Sequence, residues 1–372
     1  MTAPSLPRAT RRVPSVANRL VVLDADDPRF VELLQRAWDD RDAVLPLDPR
    51  LPAPARAAVL DAAEVDTPTE DDDALIVMSS GTSGAPRAVV LTHAAVLASA
   101  IATSTRLQVD PSVDRWLACL PLAHVGGLSV VTRALLTATP LVVHPRFEER
   151  AVSAAARDGC TLTSLVPAAL ARIDPALFRT ILVGGQAAPA ERSDNVIATY
   201  GMTETGSGIV YDGRPLDGVD LRLRDDSEIE VRGPMLLRGY RDGTDPKLDG
   251  GWLPTGDLGE LHDGVLTVHG RRGDLIITGG ENVWPAAVER ALASHPAVRD
   301  VAVVGRSDPE WGERVVAVVV PISSSPAPSL EELRAWTKQT LPAHAAPTVL
   351  HLVERLPRTS SGKVRRADLS PS

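Results

Sequence analysis

From Ala74 onward the chain alternates short apolar runs with helix-length, alanine-rich stretches. The runs Leu75–Met78, Trp116–Leu120, Leu141–His144 and Thr180–Val183 have the length of strands buried on both faces, and the stretches between them suit crossover helices. The alternation predicts parallel strands in an α/β unit. Upstream, residues 1–72 mix helical spacing, as in Arg29–Trp38, with proline-rich connections around Pro46–Pro54, and end on the acidic turn Glu70–Asp73. No chemistry is visible there. Between Val219 and Val268 the period shortens to strands broken by Gly-Asp turns, as in Ser227–Arg232 and Gly264–His269, which predicts a smaller β portion. After Gly270-Arg271 a compact α/β segment is expected: a helix over Pro285–Ser294, strands over Asp300–Val304 and Val315–Pro321, and a helix over Leu330–Leu341. Ser323–Pro328 reads as a surface linker.

Composition narrows the class. With 372 residues, 44% hydrophobic and 23% charged, the chain is long enough for two domains. A net charge of −9 argues against broad nucleic-acid binding. Cys119 and Cys160 are too few for a disulfide framework or a cysteine-based zinc site, which fits a reducing compartment. Met1–Arg12 lacks the apolar stretch of a signal peptide, and no segment approaches the roughly 18 apolar residues of a membrane span. A cytoplasmic protein is expected. Lysine occurs only at 247, 338 and 363 among 39 basic residues, which draws attention to each.

Four segments carry candidate chemistry. Ser79-Ser80-Gly81-Thr82-Ser83-Gly84-Ala85-Pro86-Arg87 follows the apolar run Leu75–Met78. Its glycines let backbone N–H groups converge on one point, and its hydroxyls and Arg87 add donors for phosphate oxygens. It lacks the Gly-Lys-Ser/Thr ending of a Walker loop; a plain Gly/Ser turn is the alternative. Tyr200-Gly201-Met202-Thr203-Glu204-Thr205 offers a carboxylate that could hold Mg²⁺ beside hydroxyls that could meet a phosphate. Gly251-Trp252-Leu253-Pro254-Thr255-Gly256-Asp257 sets one acid at an expected strand end, where it could accept both ribose hydroxyls. Pro357-Arg358-Thr359-Ser360-Ser361-Gly362-Lys363 retains a lysine whose compact ammonium could bridge a carboxylate and a phosphate. Standing alone, the Tyr200–Thr205 segment would more often be a solvated loop, a bare Asp turn is an equally good reading of the Asp257 segment, and a basic tail is the alternative for the last.

In order and spacing, these segments resemble the acyl-adenylate-forming superfamily of acyl-CoA synthetases, luciferase-like enzymes and peptide-synthetase adenylation domains, from about Leu75 to the end. The resemblance implies a large N-terminal α/β domain with a small β portion (1–270) and a mobile C-terminal α/β domain (271–372). It implies ATP, Mg²⁺ and CoA as reactants and ions. Ser79–Arg87 would be the phosphate loop, with Thr82 and Glu204 at the metal. Tyr200, Gly201 and Thr203 would meet adenine and phosphate, Asp257 the ribose, and Arg271 would partner Asp257. Lys363 resembles the adenylation lysine. His124, within Leu120-Pro121-Leu122-Ala123-His124-Val125-Gly126-Gly127, looks like the acyl-pocket gate, and Gly184-Gly185-Gln186 like the loop lining adenine and acyl group.

Two departures stand out. Arg87-Ala88 replaces the usual Lys-Gly, and Gly273 takes the hinge position of Gly270-Arg271-Arg272-Gly273-Asp274. Ile276–Pro285 is similar to the CoA-ligase version, with Gly279 and Gly280 admitting the pantetheine arm. The run His124–Arg133 and the short Tyr200–Asp217 stretch resemble the o-succinylbenzoate–CoA ligase branch, which serves menaquinone biosynthesis. A dicarboxylate needs a cation for its second carboxylate, and Arg133 is a candidate; a helix-surface arginine is the plainer reading. A ligase for another aryl or fatty acid, and an inactive nucleotide-binding homologue, remain as alternatives.

Overall fold

The computed structural model describes residues 18–79, 86–186, 188–189, 191–323, 326–358 and 364–369. One sheet takes, in spatial order, Leu20–Asp24, Ala43–Leu47, Asp73–Ser79, Arg87–Thr92 and Gly239–Tyr240. A second takes Arg214–Pro215, Ser207–Tyr211, Val196–Met202, Thr180–Val183, Leu162–Leu165, Trp116–Ala118 and Leu141–Val143.

The expected parallel pairing holds for the strands at Trp116, Leu141 and Thr180. The run at Leu75 belongs elsewhere. Asp73–Ser79 lies in the first sheet, parallel to Ala43–Leu47 and antiparallel to Arg87–Thr92, with Ser79 opposite Arg87. The connection through residues 80–86 is too short for a crossover helix, so the chain must return as a hairpin. The strands on either side of the candidate phosphate loop are therefore antiparallel neighbours, pinned by their pairing at Ser79 and Arg87.

Helices His93–Arg106 and Val125–Leu136 pack on each other and contact strands of both sheets. Thr92 caps the first, its hydroxyl accepting the Ala95 N–H at 3.1 Å. A single core joins Val77, Val89 and Leu91 of the first sheet, Trp116, Leu162 and Ile209 of the second, and Val96, Leu128 and Val131 of the helices. Burial of each such side chain is worth about 1.5–3 kcal/mol, so the two sheets are held as one body through these helices.

The smaller β portion is an antiparallel sheet of Asp220–Leu223, Glu228–Arg232, Leu253–His262 and Val265–Arg271. A short 3₁₀ turn, Arg272–Asp274, leads into the last sheet, ordered Glu281–Val283, Ile276–Thr278, Gly312–Pro321, Val298–Asp308, with Val349–Leu352 also paired to Gly312–Pro321. Helices Pro285–Ala293 and Leu330–Thr337 supply Val288, Leu292 and Leu333 to one face of this sheet. Leu356 and Leu369 cover the other. The second helix stops at Thr337 instead of reaching Leu341, because Leu341 precedes Pro342 and that position disfavours helical backbone.

Candidate active site

Three ATP-site candidates meet in direct contact. Tyr200 donates its hydroxyl to Asp257 Oδ2 at 2.8 Å, and Arg271 Nε lies 2.9 Å from Asp257 Oδ1. Asp257 and Arg271 are register partners on neighbouring strands, so the pair is set by the sheet itself. Arg271 also donates to the Thr255 carbonyl at 2.7 Å. Burial, then the charge of Asp257, holds the Tyr200 phenol well above its usual range, so it stays a donor.

Two local expectations change here. Asp257 is not at a strand end: Leu253–His262 runs straight through it. Gly256, at φ +72°, is absorbed in an irregularity of the pairing with Glu228–Arg232, and Thr255 Oγ1 bridges it by accepting the Asp257 N–H and donating to the Ile229 carbonyl. Tyr200 and Gly201 likewise sit within the strand Val196–Met202, and only Thr203–Thr205 forms a turn. Gly201 is required there, since a Cβ would stand 2.2 Å from the Ser207 carbonyl oxygen across the antiparallel pair.

A second cluster surrounds Glu204. Tyr240 donates to Glu204 Oε1 at 3.1 Å, and the Arg87 guanidinium lies over the Tyr240 ring, 3.4 Å from its centroid. Burial and the neighbouring Glu204 push the Tyr240 phenol up to about 12. Among the described residues no three His, Cys, Asp or Glu side chains converge. A cation at Glu204 would thus have one protein carboxylate and take the rest of its shell from phosphate and water. That donor set fits Mg²⁺, which keeps several waters and shares substrate phosphates.

Of the remaining candidates, Ser79 donates to the Arg87 carbonyl at 3.4 Å, at the base of the hairpin. His124 occupies the N-cap of Val125–Leu136, its carbonyl accepting the Leu128 N–H at 2.9 Å. Gly185 and Gln186 lie on an exposed turn after Thr180–Val183. Gly279, at φ +59°, has Trp311 packed where its Cβ would be, 2.8 Å away, while at Gly280, φ +82°, that space is open. Gly273 sits in the Arg272–Asp274 turn without a positive φ and with open space where a Cβ would stand. Ser80, Gly81, Thr82, Ser83, Gly84 and Lys363 lie outside the described residues.

Arg133 is the largest departure from the plain reading. It is 1% exposed, not a helix-surface residue. Nη2 donates to Ser207 Oγ at 3.1 Å, and Nε and Nη1 are buried without a hydrogen-bond partner among the described residues. The guanidinium lies 4.9 Å from the Trp116 ring centroid. Burial pulls its pKa below the ordinary arginine range. It borders a crevice of about 10 Å³, lined also by Leu75, Leu128, Ser129 and Gly206, with room for roughly one water. A larger cavity, about 570 Å³, lies against the last sheet among Val318, His351, Arg355 and Arg358, away from these clusters' residues.

Sequence reasoning missed Tyr240 and Ser207. One signal was available for the first: the chain has three tyrosines, and each hydroxyl is hydrogen-bonded, to Asp257, Thr103 and Glu204.

The α/β scaffold brings the buried Asp257 together with the partly exposed Arg271 and Tyr200, and sets Glu204 beside Tyr240 and Arg87, an arrangement suited to a nucleotide-using enzyme. The chain belongs to the AMP-binding enzymes: that family's model matches residues 5–241, and the model of the AMP-binding enzyme C-terminal domain matches residues 287–363. It is 43% identical over 338 residues to a "Probable 2-succinylbenzoate--CoA ligase" of Mycobacterium tuberculosis, covering 84% of this chain and 88% of that one. A 2-succinylbenzoate–CoA ligase of Bacillus cereus is 36% identical over 335 residues, covering 79% and 69%. Among solved structures, o-succinylbenzoate CoA synthetase from Bacillus subtilis with its acyl-adenylate intermediate superposes at a TM-score of 0.85 and 28% identity, covering 95% of this chain and 88% of that one. The same enzyme with ATP and magnesium ion gives 0.84 and 29%, covering 95% and 89%. The fold is that of the adenylate-forming enzymes.

Proposed function

We propose that this protein is an ATP-dependent, AMP-forming acid–CoA ligase whose acid is 2-succinylbenzoate, with the acyl-CoA thioester as its product. The observation that carries the substrate is Arg133: two nitrogens of its buried guanidinium lack a partner among the described residues, and a carboxylate would satisfy them once the small crevice beside them widens. An acid with only one carboxylate would spend it on activation and leave Arg133 unmatched. The ligases and synthetases similar to this chain act, by their names, on the same dicarboxylate.

In the first half-reaction a substrate carboxylate oxygen attacks the α-phosphorus of ATP; the new O–P bond forms as the bond to pyrophosphate breaks. Positioning and charge neutralisation carry this step. Tyr200, Gly201, Gly185 and Gln186 border the adenine, Asp257 with Arg271 takes the ribose, and Ser79 to Gly84 with Arg87 and Thr203 takes the phosphates. Mg²⁺, held by Glu204 and Thr82, would neutralise phosphate charge when bound. Lys363 shares the charge developing between carboxylate and phosphate. In the second half-reaction the CoA thiol attacks the acyl carbon and AMP leaves.

The chain divides into residues 1–270 and 271–372, a reading supported by the separate cores of the last sheet and by the two family models. Rotation about Gly273 would withdraw Lys363 and present Gly279 and Gly280 to the pantetheine arm, with His124 gating the acyl pocket. Among the described residues no helix is long and apolar enough to cross a membrane. ATP–pyrophosphate exchange that depends on 2-succinylbenzoate tests the activation step. Absence of exchange with every acid tried would instead mark a nucleotide-binding protein without activity.

A further inference from the structure

We infer that Tyr240 is a positioning residue for Glu204, and that Arg87, standing where a lysine is usual, acts through it. Three chain segments converge on this tyrosine. Gly239–Tyr240 pairs antiparallel with Arg87–Thr92, placing Tyr240 opposite Val89, and the Arg241 N–H donates to the Ala88 carbonyl at 2.8 Å. The Glu204 turn is tied to the same region by the Leu237 N–H, which donates to the Glu204 carbonyl at 2.8 Å. The Tyr240 hydroxyl then reaches Glu204 Oε1 at 3.1 Å, from a residue that is 8% exposed.

Arg87 closes the arrangement from the other side. Its guanidinium lies over the ring, with Cζ 3.4 Å from the centroid, and Nη2 donates to Thr244 Oγ1 at 3.3 Å. Thr244 is itself fixed by donation from its hydroxyl to Asp242 Oδ1 at 2.6 Å. A planar, delocalised cation can cover an aromatic face and keep a side donor for Thr244; a compact ammonium on a flexible stem cannot do both. The stack restricts the ring, and the ring aims its hydroxyl at one carboxylate oxygen. Glu204 therefore meets an incoming cation with Oε1 already committed to Tyr240, so that its orientation is set before metal and phosphate arrive.

This rests on the reading of Glu204 as the metal carboxylate, and the experiment separates the two. Mn²⁺ serves as the probe, its binding to the whole enzyme with a non-hydrolysable ATP analogue being followed by electron paramagnetic resonance. The Mg²⁺ dependence of pyrophosphate exchange and thioester formation from supplied acyl-adenylate are measured alongside. Tyr240→Phe keeps the ring and its stack but removes the hydroxyl. It should weaken Mn²⁺ binding and raise the Mg²⁺ requirement about tenfold, the scale of one hydrogen bond to a charged acceptor, while sparing the thioester step. Arg87→Lys should shift both metal readouts in the same direction, and much less in a Tyr240→Phe background than alone. If Glu204→Gln moves the metal readouts and Tyr240→Phe does not, the role of Tyr240 is overturned and the metal reading stands. If neither substitution moves them, the metal reading falls and takes the proposal with it.

Discussion

The Arg133 guanidinium donates a single hydrogen bond among the described residues, from Nη2 to Ser207 Oγ at 3.1 Å, across 74 residues of chain. Nε and Nη1, equally buried, have no hydrogen-bond partner among them. A charge in this state is costly, because desolvation is offset only by one neutral hydroxyl and the face of Trp116. Substitution should therefore separate stability from function. Arg133→Met is expected to fold at least as stably as the parent, by about 1 kcal/mol or more, since an apolar side chain of similar volume removes an uncompensated buried charge. The same variant should lose about 10²-fold in kcat/KM for the dicarboxylate while changing little with monocarboxylic acids. Thermal unfolding and steady-state kinetics check both halves; a destabilised variant with unaltered acid preference would make Arg133 a structural residue.

Tyr200→Phe removes one of the donors to Asp257 and leaves Arg271 in place. The expected cost is about 1–2 kcal/mol of stability, because a buried carboxylate oxygen loses a hydrogen bond. The ATP KM should rise, with the acid KM unmoved. Equilibrium denaturation and a substrate-by-substrate KM comparison decide this.

The two half-reactions should come apart by mutation. Lys363→Ala is expected to lower adenylation at least about 10²-fold and still convert supplied acyl-adenylate. Gly273→Ala should leave stability unchanged, since Gly273 needs no positive φ and open space awaits a Cβ; Gly273→Pro should spare adenylation more than thioester formation. Gly280→Leu should stall the thioester step, though its φ of +82° adds a folding cost of about 1–2 kcal/mol that Gly280→Ala would share and so control for. Rapid-quench measurement of each step, with equal losses in both for every variant, would rule out an alternating C-terminal pose.

Acid lability should trace in part to Asp114. Burial alone would raise its carboxyl, but hydrogen bonds from Arg179, the Asp110 N–H and Thr161, together with the Arg179 charge, hold it below the ordinary aspartate value. Arg179 reaches both oxygens, at 2.9 and 2.7 Å. A carboxylate with a depressed folded-state pKa contributes stability above its unfolded value near 3.8, and that contribution is lost as pH falls through the folded pKa. Asp114→Asn should thus cost about 2–4 kcal/mol at pH 7 and less at pH 3. An equal loss at both values would contradict the assignment.

Much of this was legible in the chain, for reasons that differ by residue. Order and spacing singled out Ser79–Arg87, Tyr200–Thr205, Asp257 and Lys363 as candidates, because each lies in a contiguous segment whose residue types suit phosphate, metal or ribose; of these, Tyr200 and Asp257 are in contact, while Ser80–Gly84 and Lys363 lie outside the described residues. Pairings distant in sequence were not legible: Tyr240 reaches Glu204 across 36 residues, and nothing local to Gly239-Tyr240 announces a carboxylate partner. The antiparallel pairing of Asp73–Ser79 with Arg87–Thr92 could have been drawn from the short connection between them, which excludes a crossover helix. Arg133 could also have been placed. Val125–Leu136 is apolar or small on every face but for that residue, and a helix of that kind is buried all round, its one charge included.

On the proposed function, this chain joins 2-succinylbenzoate to CoA, with Arg133 receiving the carboxylate that is not activated. CoA-dependent AMP release, measured for the parent protein and Arg133→Met across 2-succinylbenzoate, benzoates and fatty acids, tests it most directly. The parent should prefer 2-succinylbenzoate clearly, and the substitution should abolish that preference while leaving turnover of monocarboxylates in place. A parent that favours a fatty acid, or a preference for 2-succinylbenzoate that survives in Arg133→Met, would contradict it.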